Sequence, residues 1–142
     1  MSTPLLLDTH VWLWYAEGCE GQLSKTTLAA IEQARQAHQL HVSAISVWEI
    51  GMLCAKEKIS LSTPTREWMH QATKMPGLRM LALDAETAFE STQLPGNPHG
   101  DPADRFLIAA ARVHTLRLVT ADLKIKDYGK AGYVQVLAAR TR

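Results

Sequence analysis

Cysteine is scarce in this chain: there are two in 142 residues, and Cys19 and Cys54 make no C-x-x-C pair. Neither a disulfide framework nor a structural zinc is expected, and a reduced chain is the simplest account. A chain of this length buries roughly 70% of its unfolded surface and needs no such staple. No apolar run approaches the roughly 20 residues of a membrane-spanning helix, so no membrane association is expected. The opening MSTPLLLDTH has a short apolar stretch and no basic lead, so it does not read as a secretory signal, and a cytoplasmic protein is expected. Neither sign of charge dominates. Fifteen Lys and Arg stand against 14 Asp and Glu, which argues against broad electrostatic capture of nucleic acid. Arg105, Arg112, Arg117, Lys124, Lys126 and Lys130 do gather in the final third, where a solvated surface is their ordinary fate. No G-x-G-x-x-G, Walker loop or G-x-S-x-G elbow occurs, which sets aside dinucleotide, P-loop and nucleophile-elbow chemistry. With no repeat and no linker-like run, residues 1–142 read as one domain.

What is present is an alternation of short apolar strands and helical patterns. Strands are expected at residues 5–7, 40–44, 79–83, 116–121 and 133–137. Between them lie helical stretches at about 11–16, 24–37, 45–59, 64–74, 85–93 and 104–114, with Ser24 as a cap and LPGNPHGDP as a loop. Buried-type strands separated by helices imply an α/β fold, with a mainly parallel sheet covered on both faces. In such sheets the reactive crevice lies at the carboxyl ends of the strands.

Two acids fall at those ends: Asp8 follows LLL, and Asp122 follows LVTA. Two more stand near helix starts. Asp104 precedes Leu107, Ile108 and Ala111 by three, four and seven residues, at the edge of an inward stripe. Capping explains its neighbourhood cheaply, with Asp101 as N-cap, Pro102 at the first helical position and Asp104 favouring the helix dipole. Glu49 lies four after Ile45 and three before Met52, on a stripe read as Ile45, Trp48, Met52 and Ile59. A capping box from Ser46 to Glu49 is the structural alternative. A buried carboxylate is otherwise rare unless it is paired or holds a metal. Four such charges repel, each pair by on the order of 4 kcal/mol at about 4 Å and an effective dielectric near 20. Protonation or a bound cation relieves that cost. All-oxygen ligands suit Mg²⁺ or Mn²⁺ and disfavour zinc, and such an ion supports hydrolysis of phosphodiesters.

LLLDTHVWLW, SAISVWEIGML, DPADRFLIAAA and LVTAD, in this order and across nearly the whole chain, resemble the PIN-domain nucleases, specifically the VapC-type toxins of bacterial toxin–antitoxin pairs. The resemblance implies a three-layer α/β/α domain with a five-stranded sheet ordered 3-2-1-4-5. It implies an endoribonuclease dependent on Mg²⁺ or Mn²⁺, a homodimer, an RNA substrate and a small VapB-like antitoxin. Asp8, Glu49, Asp104 and Asp122 match the family's acidic quartet as metal ligands and catalytic residues. Asp101 is extra: a cap, an acid standing behind the ligands, or an alternative ligand. Thr9 and Thr120 stand beside acids that they are able to orient. Arg105 reads either as a partner for a carboxylate or phosphate or as an ordinary salt bridge. His10, the His38–His41 pair and Cys54 are not promoted, and Trp12, Trp14, Trp48 and Trp68 are read as core or dimer contacts rather than RNA-stacking residues. Two other functions compete: a non-catalytic α/β binding module, and another Mg²⁺-dependent phosphoryl hydrolase. The sequence DTH at Asp8 lacks the second aspartate of a D-x-D pattern and ranks the latter last.

Overall fold

A computed structural model describes residues 3–19 and 21–140, so the outermost residues of the expected 1–142 domain and Met1–Ser2 of the opening segment lie outside it. Five parallel strands, β1 (Leu5–Leu7), β2 (Leu40–Ser43), β3 (Leu78–Leu81), β4 (Arg117–Thr120) and β5 (Val136–Ala138), form one sheet in the order β3-β2-β1-β4-β5. Every adjacent pair is parallel, with Leu5 opposite Leu40 on one side and Arg117 on the other. The connections run through α1 (Thr9–Glu17), α2 (Lys25–Gln36), α3 (Ala44–Ala55), α4 (Thr65–Thr73), α5 (Ala85–Thr92), α6 (Pro102–Val113) and α7 (Leu123–Lys130).

The pleat of β1 sorts the core into two layers. Leu6 packs with Leu107 and Ile108 of α6 and Ile125 of α7, whereas Leu5 and Leu7 pack with Trp12 of α1, Ile31 of α2 and Trp68 of α4. Successive side chains on a strand point to opposite faces, so three consecutive leucines serve two cores and make the central strand apolar throughout. Trp12 and Trp68 meet with ring centroids 5.1 Å apart, as the core reading of these residues expects.

The third helix corrects one expectation in detail. It begins at Ala44, with Ser43 as N-cap accepting from the Ile45 N–H, so Ser46 caps nothing and forms no box with Glu49. Its buried face carries Ile45, Ser46 and Ile50; Trp48 is 57% exposed, Met52 points outward, and Ile59 lies beyond the helix end. The strand runs directly into the helix, and this sets the phase: positions 45, 46, 49 and 50 share one face, one turn apart. Glu49 stays on the inward side for a reason other than the stripe read from sequence. The helix α7 was not expected, and Asp127 is an exposed residue of it. Only Ile125 and Tyr128 are buried on α7, too few to mark a period.

Gly77, in the turn before β3, has φ +85°, and a Cβ there would lie 2.1 Å from the Arg35 carbonyl oxygen of α2. Gly18 also has positive φ, but nothing among the described residues lies within 4 Å of its would-be Cβ. Gly18→Ala is therefore expected to cost about 1–2 kcal/mol, and Gly77→Ala roughly 3 kcal/mol or more, because backbone must also move. Urea unfolding of the two variants beside the parent checks the difference.

Candidate functional site

Each acid owes its place to the end of an element. Asp8 follows β1 and caps α1, with extended backbone at φ −61° and ψ 155°. It is buried, at 7% exposure, and both carboxylate oxygens are held: the Thr9 N–H donates to Oδ1 at 2.7 Å and the Thr120 hydroxyl to Oδ2 at 2.6 Å. Asp122 caps α7 through the Ile125 N–H, and its own N–H donates to Thr120 Oγ1 at 3.0 Å. Thr120 thus accepts from one acid's backbone and donates to another's side chain, locking the ends of β1 and β4 together. Thr9 Oγ1 meets Ser46 Oγ at 2.8 Å, which pins the start of α3 to the start of α1 and brings Glu49 toward Asp8.

Asp104 sits in the first turn of α6, its N–H donating to Oδ1 of the exposed N-cap Asp101 at 3.2 Å. Burial, followed by the charges of Asp8, Asp101, Asp122 and Glu49, pushes the Asp104 carboxyl up to about 8. Burial raises the Asp8 carboxyl as well, with Glu49 adding to it, while hydrogen bonds from Thr120 and Thr9 and the nearby His10 pull the other way. Asp8, Glu49 and Asp122 therefore all act on Asp104, and Glu49 also acts on Asp8. Glu49 Oε1 is fully buried and has no hydrogen-bond partner among the described residues. A carboxylate oxygen left so is costly unless a proton or cation reaches it.

Sequence reasoning passed over His99. Its Nε2 lies 3.1 Å from Asp104 Oδ2 and 3.3 Å from Asp122 Oδ2, and the three side chains bring ligand atoms within 4.8 Å of one another. The only signal in the sequence was a histidine two residues before a capping aspartate in a Pro- and Gly-rich loop. Among the described residues Arg105 pairs with backbone rather than with an acid. Its Nε donates to the Ser91 carbonyl at 3.0 Å and Nη1 to the His99 carbonyl at 3.3 Å, so it braces the loop and touches no carboxylate. His41 Nδ1 donates to the Leu5 carbonyl at 3.0 Å, and His38 sits exposed at φ 57° past the end of α2, so the two make no pair. A cavity of about 770 Å³ opens at the opposite, amino-terminal ends of β4 and β5 and includes none of these acids.

The sign of the pH dependence follows from Asp104. Its folded-state value of about 8 exceeds the ordinary 3.8, so the folded protein holds that proton more tightly than the unfolded chain does. The associated stability is complete below about pH 4 and is lost as pH rises toward 8. Metal-stripped protein is expected to melt at a lower temperature at pH 8.5 than at pH 5.5 by a margin that shrinks in Asp104→Asn. A divalent cation in millimolar excess should close most of that margin, because it binds the ionised site of the folded state alone. Thermal melts in EDTA and in the cation, for both proteins, provide the check.

Residues 5–131 match the sequence profile of the PIN domain. The chain is 32% identical over 126 residues to a protein named Ribonuclease VapC22 of Mycobacterium tuberculosis, covering 89% of this chain and 92% of that one. Among solved structures, it resembles VapBC2 from Rickettsia felis bound to a promoter DNA fragment, with a TM-score of 0.68, 14% identity and coverage of 96% and 98%. DNA-bound VapBC from Salmonella typhimurium is similar at a TM-score of 0.64 and 15% identity, covering 99% and 100%. The parallel sheet ordered 3-2-1-4-5 and the match along nearly the whole length agree: this chain belongs to the PIN-domain family.

Proposed function

We propose that the protein is an endoribonuclease dependent on Mg²⁺ or Mn²⁺ and acts as the toxin of a toxin–antitoxin pair. The observation that carries this reading is the setting of Asp104: burial and then four other acids raise its carboxyl, and the buried Glu49 Oε1 has no partner among the described residues. Capping accounts for Asp8, Asp101 and Asp122 as local structure. It accounts for neither Glu49 nor the burial of Asp104, which weighs against a purely structural module.

The donor set fits a hard divalent ion. Asp8, Glu49, Asp104 and Asp122 offer carboxylate oxygens only, as Mg²⁺ and Mn²⁺ prefer. A divalent ion bound there lowers the pKa of water and stabilises charge on phosphoryl oxygens. The chain's own residues prepare that chemistry. Thr9 and Thr120 fix the orientation of the Asp8 carboxylate, so its remaining lone pairs are presented in a set direction. Burial and the neighbouring acids push the Asp104 carboxyl up to about 8, and a cation held among these oxygens would favour its ionised form.

RNA as substrate is supported by the relative named as a ribonuclease, and an antitoxin partner by the VapBC complexes that share the fold. A homodimer is supported by Trp48 and Met52, which stand one turn apart on the outer face of α3. No helix among the described residues is long and apolar enough to cross a membrane, and we place the protein in the cytoplasm acting as one domain.

Purified protein freed of any co-expressed antitoxin is expected to cleave RNA with Mg²⁺ or Mn²⁺ and to lose that activity in EDTA. Asp8→Asn should reduce the rate by about a hundredfold or more, since it removes one preorganised charge from the reacting centre. Undiminished cleavage in EDTA or by Asp8→Asn, read from RNA end-profiling, would overturn the proposal.

A further inference from the structure

The imidazole of His99 is nearly enclosed, with its side chain 11% exposed, and it reaches carboxylates on two different helices. Nε2 faces Asp104 Oδ2 at 3.1 Å and Asp122 Oδ2 at 3.3 Å. The other ring nitrogen is already committed, because the Asp101 N–H donates to Nδ1 at 3.0 Å. A ring nitrogen that accepts a hydrogen bond carries no proton, so the neutral ring bears its single N–H on Nε2.

Two roles are open to an imidazole in this position, and they require opposite tautomers. To ligate an ion, Nε2 must offer a lone pair while the proton moves to Nδ1. The Nδ1 proton would then face the Asp101 N–H, donor against donor, in a loop that gives neither room to turn. That loop is braced on three sides. Arg105 donates to the His99 carbonyl, the Tyr128 hydroxyl donates to the Pro95 carbonyl, and Gly96 lies against the Tyr133 ring. As a donor, by contrast, Nε2–H satisfies two carboxylates that otherwise repel, and all three partners of the ring are matched at once.

We propose that His99 is a positioning residue of the metal centre inferred above, on which this inference rests: its Nε2–H gathers the Asp104 and Asp122 carboxylates, and the ring itself does not ligate the ion. The donor draws together acids that begin separate helices, α6 and α7, with no covalent or backbone link between them. An all-oxygen ligand set then remains, which keeps the preference for hard ions over zinc; a ligating imidazole would shift it toward softer metals. Asp101 thereby acquires a second task beyond capping α6, since its backbone N–H selects the tautomer.

Two measurements on the full chain, stripped with EDTA, test this. In long-range ¹H–¹⁵N spectra, with the His99 signals identified by their loss in His99→Gln, Nε2 is expected to be protonated and Nδ1 bare, both before and after Mg²⁺ is added. A proton found on Nδ1 in the Mg²⁺-loaded protein overturns the proposal. By calorimetric titration with Mg²⁺, His99→Ala is expected to bind about 10–100-fold more weakly than the parent, the usual cost of losing a partner that orients ligands, whereas His99→Gln, whose amide nitrogen reaches the Nε2 position, stays within about threefold. Parent-like Mg²⁺ binding by His99→Ala overturns it as well. Should that variant fail to fold, the spectra of the parent decide alone. A parent protein that binds no Mg²⁺ or Mn²⁺ at all defeats the metal centre itself, a result distinct from a centre that binds equally well without His99.

Discussion

Negative charge confined to one end of a parallel sheet is the constraint around which the rest of this molecule is arranged. In an all-parallel sheet every strand ends on the same side, and every following helix begins there. A helix start wants an acidic or hydroxyl cap, so Asp8, Asp101 and Asp122 satisfy backbone N–H groups at the heads of α1, α6 and α7. The same positions bury carboxylates and bring them near one another, and burial first and neighbouring charge second raise the carboxyls of Asp104 and Asp8. Capping and ion binding are therefore one arrangement seen at two scales: locally each acid completes a helix, and collectively the acids are tolerable only with protons or a cation among them.

The scaffold spends its buried polar contacts on holding that arrangement. Thr120 joins the Asp8 side chain to the Asp122 backbone, and Thr9 with Ser46 joins the heads of α1 and α3. Arg105, adjacent to an acid in sequence, turns away from it to bind two carbonyls and so steadies the loop that carries His99. These supports are small hydroxyls and a guanidinium placed where charged groups must not drift. The apolar layers behind them, with Leu6 serving one face and Leu5 and Leu7 the other, give the supports a rigid base.

The residues differ in how readable they were. Asp8 and Asp122 are visible because each follows a short apolar run, and a strand end is a local feature of sequence. Asp104 is visible through the Asp-Pro-x-Asp start of an apolar helix. Glu49 came out on the inward side although the stripe that suggested it was wrong: Trp48 and Met52 face outward, and the phase of α3 is set by β2 running straight into it at Ser43. His99 was invisible because its neighbours, Asp104 and Asp122, are brought to it by the packing of α6 and α7 and by no spacing along the chain. The α7 helix escaped for want of enough buried positions to show a period.

By itself, then, the sequence determined the alternation of strands and helices, the parallel sheet and the identity of the acids that cap its helices. Those depend on side-chain periodicity and on capping chemistry within a few residues. Tertiary structure alone decided which of those charges meet, which tautomer His99 adopts, and that Arg105 braces a loop in place of pairing with an acid. Those outcomes turn on distances between segments far apart in the chain, and on hydrogen-bond partners that only packing supplies.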